Sequence, residues 1–220
     1  MGVPQGYVAY GGPGAVGQVQ QSSGLRKATV ALFWLTAAAS GLLALAFFSR
    51  KSAVDDFFAG TKSLSDVVDS DNVVRLAASL QGLLTIAAVI VLCLWSRRIA
   101  KNAQARGAPG ISPGLACGGW WIPIGFYWVG FGQLKKSVVG VNKTSPNLIR
   151  WQIAFVVQSV LGFIVRSAAN SLDMANSGSL TSTLNRQGAL GLVSFALFAV
   201  TAFFAMKAMS EVDTAVSTIT

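Results

Sequence analysis

The residue types that most often carry catalysis or metal binding are sparse in this chain. Histidine is absent, which removes the commonest general base, the commonest metal ligand and the usual sensor of physiological pH. Cys93 and Cys117 both lie in apolar stretches, and neither has a second cysteine at metal-ligand spacing, so the pattern implies neither a disulfide framework nor a metal centre. Five aspartates, Asp55, Asp56, Asp66, Asp69 and Asp71, crowd one segment and raise the question of a cation site. A calcium loop needs alternating oxygen ligands, a turn glycine and a closing glutamate, and this spacing does not reproduce that order. A solvated acidic loop explains them better. No cofactor or metal is expected, and the chain reads as a non-enzymatic protein.

What the chain does offer is cations beside aromatic side chains. Arg97, Arg98, Lys101, Asn102 and Arg106 precede a short Gly/Pro linker, Trp120, Trp121 and Pro123 follow it, and Lys135 and Lys136 close the stretch. Indole rings favour the headgroup level of a bilayer, and a Lys or Arg near an anionic leaflet contributes ~1 kcal/mol of attraction. These ten residues are the candidate contact surface for anionic lipid headgroups or for a protein partner.

The elements that must hold such a collar are membrane helices. The sequence is 53% hydrophobic and only 11% charged, against about a quarter charged in soluble proteins. Apolar runs at Ala28 to Phe48, Leu76 to Trp95, Ile149 to Val165 and Ala189 to Met206 each approach the roughly 20 residues that cross ~30 Å of hydrocarbon as helix. They are continuous rather than alternating, which excludes a membrane β-barrel. The first run starts too late and is too long for a signal peptide, and Arg50 and Lys51 follow it.

Charge placement orients the spans. The segment after the first run carries the five aspartates, whereas the segment after the second carries Arg97, Arg98, Lys101 and Arg106 without an acid. The first loop is therefore expected outside and the second inside. Segment 114–134 is long enough to cross but is interrupted by Gly118, Gly119, Pro123, Gly125, Gly130 and Gly132. If it crosses, the basic residues divide almost evenly between the two sides. If it returns or lies in the interface, the inner side holds eleven basic and two acidic residues and the outer side six of each. The expected fold is thus all-α, a polytopic bundle of four transmembrane helices plus one re-entrant or interfacial Trp/Pro/Gly-rich segment. Both termini are expected in the cytoplasm and the protein in the cell membrane. The net charge of +9 is accounted for by the inner face, and no nucleic-acid partner is expected.

Residues 1–24 are rich in Gly, Gln, Pro and Tyr without a charge, and read as a disordered cytoplasmic tail. Residues 25–209 form the transmembrane domain and 210–220 a short cytoplasmic tail. Ala37 and Gly41 form a small-xxx-small pair, whose expected partner is a helix of the same chain, with a homo-oligomer as the alternative. The loop Ser52 to Val74 has the pattern of a short surface helix, and Ser167 to Gln187 reads as an exposed loop. The spans contain no Asp or Glu. Their polar groups reduce mainly to Gln81, Thr85, Gln158, Ser159, Ser194 and Thr201, few for a transport pathway.

The order Trp95, Arg98, Asn102, then Ser112, Pro113, Gly114, then Gly119, Trp120, Trp121, Ile122 and Pro123 resembles the actinobacterial membrane family catalogued as domain of unknown function 4328. The resemblance extends more loosely over the apolar runs and the front tail. Where that family tends to place a second proline, this chain reads Gly125 to Gly130. The family name implies a membrane location and no activity. The leading expectation is an accessory-subunit, protein-interaction or lipid-organising role. The alternative is a channel or small-solute permease using segment 114–134.

Overall fold

The computed structural model describes residues 19–122, 128–170 and 177–217, with the backbone alone for 164–170, 177–180 and 217. Its elements are all helical: α1 (Ser23–Phe58), α2 (Leu64–Ala105), α3 (Pro113–Gly118), α4 (Val129–Val139), α5 (Pro146–Asn170) and α6 (Ser177–Ser217). No strand occurs among the described residues. Helices α1 and α2 and the Thr181–Val216 part of α6 are long and apolar enough to cross a membrane. Leu42, Leu45, Leu76 and Leu83 on their outer faces are each more than half exposed. Water would penalise such a surface, whereas lipid accepts it. The chain is a helical membrane protein.

The long helices outrun their apolar runs. α1, α2 and α6 have 36, 42 and 41 residues, about 54 to 63 Å at 1.5 Å per residue, so their polar flanks are helical as well. The expected surface helix within Ser52 to Val74 is therefore not a separate element: α1 continues to Phe58, a turn through Gly60 (φ 72°) reverses the chain, and α2 starts at Leu64. Ser63 starts α2 by donating both its N–H and its hydroxyl to the Asp66 carboxylate, at 2.9 and 2.7 Å. Likewise α6 begins at Ser177, inside the expected second loop, and continues to Ser217 through the expected C-terminal tail. At the other end α1 begins at Ser23, and Gln20 and Gln21 are bonded to α2; residues 1–18 of the expected tail lie outside the described residues.

The helices pack in the order α2, α1, α6, α5, with α3 and α4 capping one end. Small residues set the α1–α6 contact. A Cβ on Gly191 would meet the Ala44 Cβ at 2.8 Å, one on Gly188 the Phe48 ring at 2.7 Å, and one on Gly41 the Phe195 ring at 3.3 Å. The Ala37/Gly41 pair thus has its partner in α6 of the same chain, as expected from the small-residue pattern. Both ends of the described chain meet at the capped end: the Ser22 hydroxyl donates to Asp213, Arg26 lies 3.6 Å from the same carboxylate, and Ser145 ahead of α5 donates to Glu211 at 2.8 Å.

Among the described residues, segment 114–134 overlaps two short helices that extend past its ends. α3 has six residues and α4 eleven, and neither approaches the length of a crossing. Pro123, with residues 124–127, lies outside the described residues. Gly107 (φ 81°) and Gly110 (φ 69°) fold α3 back along α2. This reversal overturns the expectation from cysteine spacing: Cys93 and Cys117, 24 residues apart, are joined in a disulfide with Cα atoms 4.2 Å apart. Tertiary reversal rather than a local motif brings them together, which is why spacing alone does not reveal the pair. Cys93 is only 6% exposed, so the bond is shielded from aqueous reductants.

Candidate functional site

The capped end holds the buried core cluster. Trp95, Ile99 and Ala103 of α2, Leu134 and Val138 of α4, Trp151 of α5 and Met209, Val212 and Val216 of α6 enclose one buried cluster. Trp120 lies on it: its ring stacks on Trp151 (centroids 6.2 Å apart) and meets Phe131 edge-on at 5.0 Å. Its indole N–H donates to the Ser96 hydroxyl at 3.0 Å. Gly130 permits this placement, since a Cβ there would come within 2.7 Å of the Trp120 ring. Phe33 and Phe155 complete the aromatic layer.

Above that layer the bundle opens into a cavity of ≈ 540 Å³ bounded by α1, α2, α5 and α6, with Trp120 as its floor. All six polar residues noted in the apolar runs line it: Gln81 and Thr85 from α2, Gln158 and Ser159 from α5, Ser194 and Thr201 from α6. Thr36 and Ser40 of α1 and Gln187 of α6 join them. These three were not picked out from the sequence, although Gln187, Ser194 and Thr201 recur every seven residues and so share one face of α6. Among the described residues the lining holds no Asp, Glu, Lys or Arg.

The backbones of α2 and α5 do not touch among the described residues, whereas α1–α2, α1–α6 and α5–α6 all pack. Among the described residues the cavity is therefore open between α2 and α5, where Phe163, a lining residue, is 72% exposed. Apolar walls make up most of the remainder, through Leu43, Phe47, Val89, Leu190 and Phe198. Two buried polar atoms in the lining, Thr201 Oγ1 and Gln187 Oε1, have no hydrogen-bond partner. Such atoms in a native interior mark a strained, solvated or ligand-binding position.

The expected headgroup collar separates into two sets. Trp120 is 6% exposed and part of the core, because its N–H finds Ser96 and its ring finds Trp151 and Phe131; this corrects its expected place at the headgroup level. Asn102 is also buried, with its side-chain amide paired to the backbone of Gln20 in both directions (2.9 and 2.8 Å). It is an internal clamp rather than a lipid contact. Arg98 donates to the Gln21 carbonyl at 2.9 Å and Arg106 to the Ala215 carbonyl at 3.4 Å. Arg97, Lys101, Lys135, Lys136 and Trp121 remain exposed around this end. Pro123 lies outside the described residues.

Four of the five aspartates at the opposite end are occupied locally. Arg50 pairs with Asp71, Lys62 with Asp56 at 2.9 Å and Lys51 with Asp55 at 2.6 Å. Hydrogen bonds from Lys51 and Thr181 hold the Asp55 carboxyl below the ordinary carboxylate range, and those from Ser63 do the same for Asp66. Both groups lie beyond the apolar runs. Among the described residues no group of three or more His, Cys, Asp or Glu is placed to hold a metal ion.

No family model, curated protein or solved structure matches this chain.

Proposed function

We propose that this protein binds a membrane-dissolved molecule in its lateral cavity and so acts as a non-enzymatic, lipid-handling component of the cell membrane. The observation that carries this reading is convergence: every uncharged polar residue noted in the apolar runs lines one cavity, and among the described residues that cavity has no backbone wall between α2 and α5. A site for a water-soluble solute would favour an aqueous entrance, whereas a side entrance between α2 and α5 suits a ligand that arrives from the bilayer.

In this reading α5 is the fourth span, α3 and α4 form an interfacial cap, and both termini are cytoplasmic, in keeping with the basic residues around the capped end. Exposed Arg97, Lys101, Lys135 and Lys136 meet anionic headgroups there, beside Trp121. The motif from Trp95 to Pro123 supports a place in the family of domain of unknown function 4328. Purification in a gentle detergent followed by lipid extraction tests the reading. One lipid species, enriched over the bulk membrane and near equimolar with the protein, is expected. A lipid profile identical to the bulk membrane would contradict it, and a stoichiometric protein partner would favour the accessory-subunit role instead.

A channel or small-solute permease is the second reading. It draws support from Trp120, a residue of the interrupted segment, forming the cavity floor. Solute flux in proteoliposomes that rises with Trp120→Ala would favour it; unchanged impermeability would count against it.

A further inference from the structure

The cavity's polar groups are sorted by height, and three of its hydroxyls have their protons already committed. Ala44 against Gly191 and Gly41 against Phe195 bring Thr36 level with the turn of α6 that carries Phe198 and Thr201. The Gln20–Asn102 and Arg50–Asp71 pairs bring Thr85 level with Thr36, and Asn147 against Glu211 brings Gln158 level with Thr201. A polar tier thus lies directly above the Trp120 floor, near the middle of the apolar runs. In that tier Thr36 donates its hydroxyl proton to the Leu32 carbonyl, Thr85 to Gln81 and Ser159 to Phe155, each at 2.8 Å. Their protons are turned back into their own helices, and what they offer the cavity is oxygen lone pairs. Thr201 Oγ1, on a residue 4% exposed, has no partner.

We infer that the ligand is an uncharged membrane alcohol whose hydroxyl is held in this tier while its hydrocarbon body leaves between α2 and α5; the inference rests on the lipid-binding reading above. A hydroxyl donates its proton to the unpartnered Thr201 Oγ1, and its own oxygen accepts from the Gln158 amide. A carboxylate or phosphate would be buried at mid-membrane depth without a cation in the lining. An ammonium would be buried there without an anion. An ether or ester of the same length fills the space but leaves the acceptors unmatched. The ≈ 540 Å³ volume holds a head and the first part of a chain.

The test uses the full chain in nanodiscs of phosphatidylcholine and phosphatidylglycerol. Three photoactivatable probes with the same long chain and the same diazirine position are compared at equal mole fraction: the primary alcohol, its methyl ether and the fatty acid. The alcohol is expected to label cavity-lining peptides roughly three- to ten-fold more than the ether or the acid, a factor set by one or two hydrogen bonds. Unlabelled alcohol should compete. Thr201→Val, which keeps shape, should lose that preference while ether labelling stays unchanged, and Thr201→Ser should retain it. Equal labelling by alcohol and ether, or stronger labelling by the acid, would overturn the alcohol assignment and leave a lipid cavity in place. Absence of cavity labelling by all three probes would overturn the lipid-binding reading as well. The comparison of probes on the unaltered protein decides the matter even if the Val variant fails to fold.

Discussion

The indole N–H of Trp120 is bonded to the hydroxyl of Ser96, 3.0 Å away, with both residues buried. This one contact ties the turn after α3 to α2 and fixes the ring that separates the packed end of the bundle from the cavity. Trp120→Phe keeps most of the ring packing but strands the Ser96 hydroxyl, and should lower stability by about 1 kcal/mol. Trp120→Ala also removes the floor and should cost about 3–5 kcal/mol. Unfolding in mixed micelles measures both, and equal losses would deny Trp120 its packing role.

The α1–α6 seam has no room for a larger side chain. Gly191→Leu forces a branched side chain against Ala44 and should destabilise by about 1–3 kcal/mol. Gly82 faces open space in α2, so Gly82→Ala should stay within about 0.5 kcal/mol of the parent. The same unfolding assay separates the two, and a neutral Gly191→Leu would refute the close approach.

Asn102 clamps the chain ahead of α1. Asn102→Ala removes both bonds to Gln20 and should cost about 1–3 kcal/mol locally. Faster proteolysis or amide exchange at residues 19–22, with the rest of α2 unchanged, is the expected sign. If protection there is unaltered, the remaining bonds of Gln21 and Ser22 hold the segment without Asn102.

The start of α2 should depend on pH. The Asp66 carboxyl is held below its ordinary value of 3.8 by Ser63, so its folded pKa is depressed. Its contribution is therefore present above that ordinary value and is lost as pH falls through the lower, folded one. Amide exchange over residues 63–66 should rise at acid pH in the parent, whereas in Asp66→Asn it should be raised already at neutral pH and change less on acidification. Identical pH profiles would remove the cap from the account.

The disulfide closes a loop that spans α2 and α3. Replacing both Cys93 and Cys117 with Ser should lower stability by up to about 3.5 kcal/mol, the chain-entropy value for a 24-residue separation. Intact mass after maleimide treatment under denaturing, non-reducing conditions should show no added label. Two added labels would mean free thiols.

The helices were legible because apolar runs near 20 residues leave the backbone few other solutions in a bilayer. Where those helices continue was not legible. Ser52 to Val74 reads as a loop with one short surface helix and 210–220 as a tail, yet ion pairs such as Lys51–Asp55 and the Ser63–Asp66 cap sustain the long helices through the former. The cavity illustrates a second limit. Gln81, Thr85, Gln158, Ser159, Ser194 and Thr201 could each be seen in the chain, but only two lie on any one of those helices and they looked too few to matter. Their meeting depends on helix rotation and register, which contacts such as Gly191–Ala44 set and no single helix records. Trp120 and Asn102 were legible as significant positions but not as interior ones. An indole and an amide can face headgroups or be buried once partnered, and the partners Ser96 and Gln20 lie 24 and 82 residues away in sequence.

Native mass spectrometry of the protein released from gentle detergent tests the central claim most directly, by comparing the parent with Ser194→Phe, which fills the cavity, and Leu83→Phe, which alters the lipid-facing surface. The account predicts one lipid-sized adduct on the parent and on Leu83→Phe that survives removal of surface lipid, and its loss from Ser194→Phe. Equal adducts on all three proteins, or none on any, would contradict a ligand held inside the bundle.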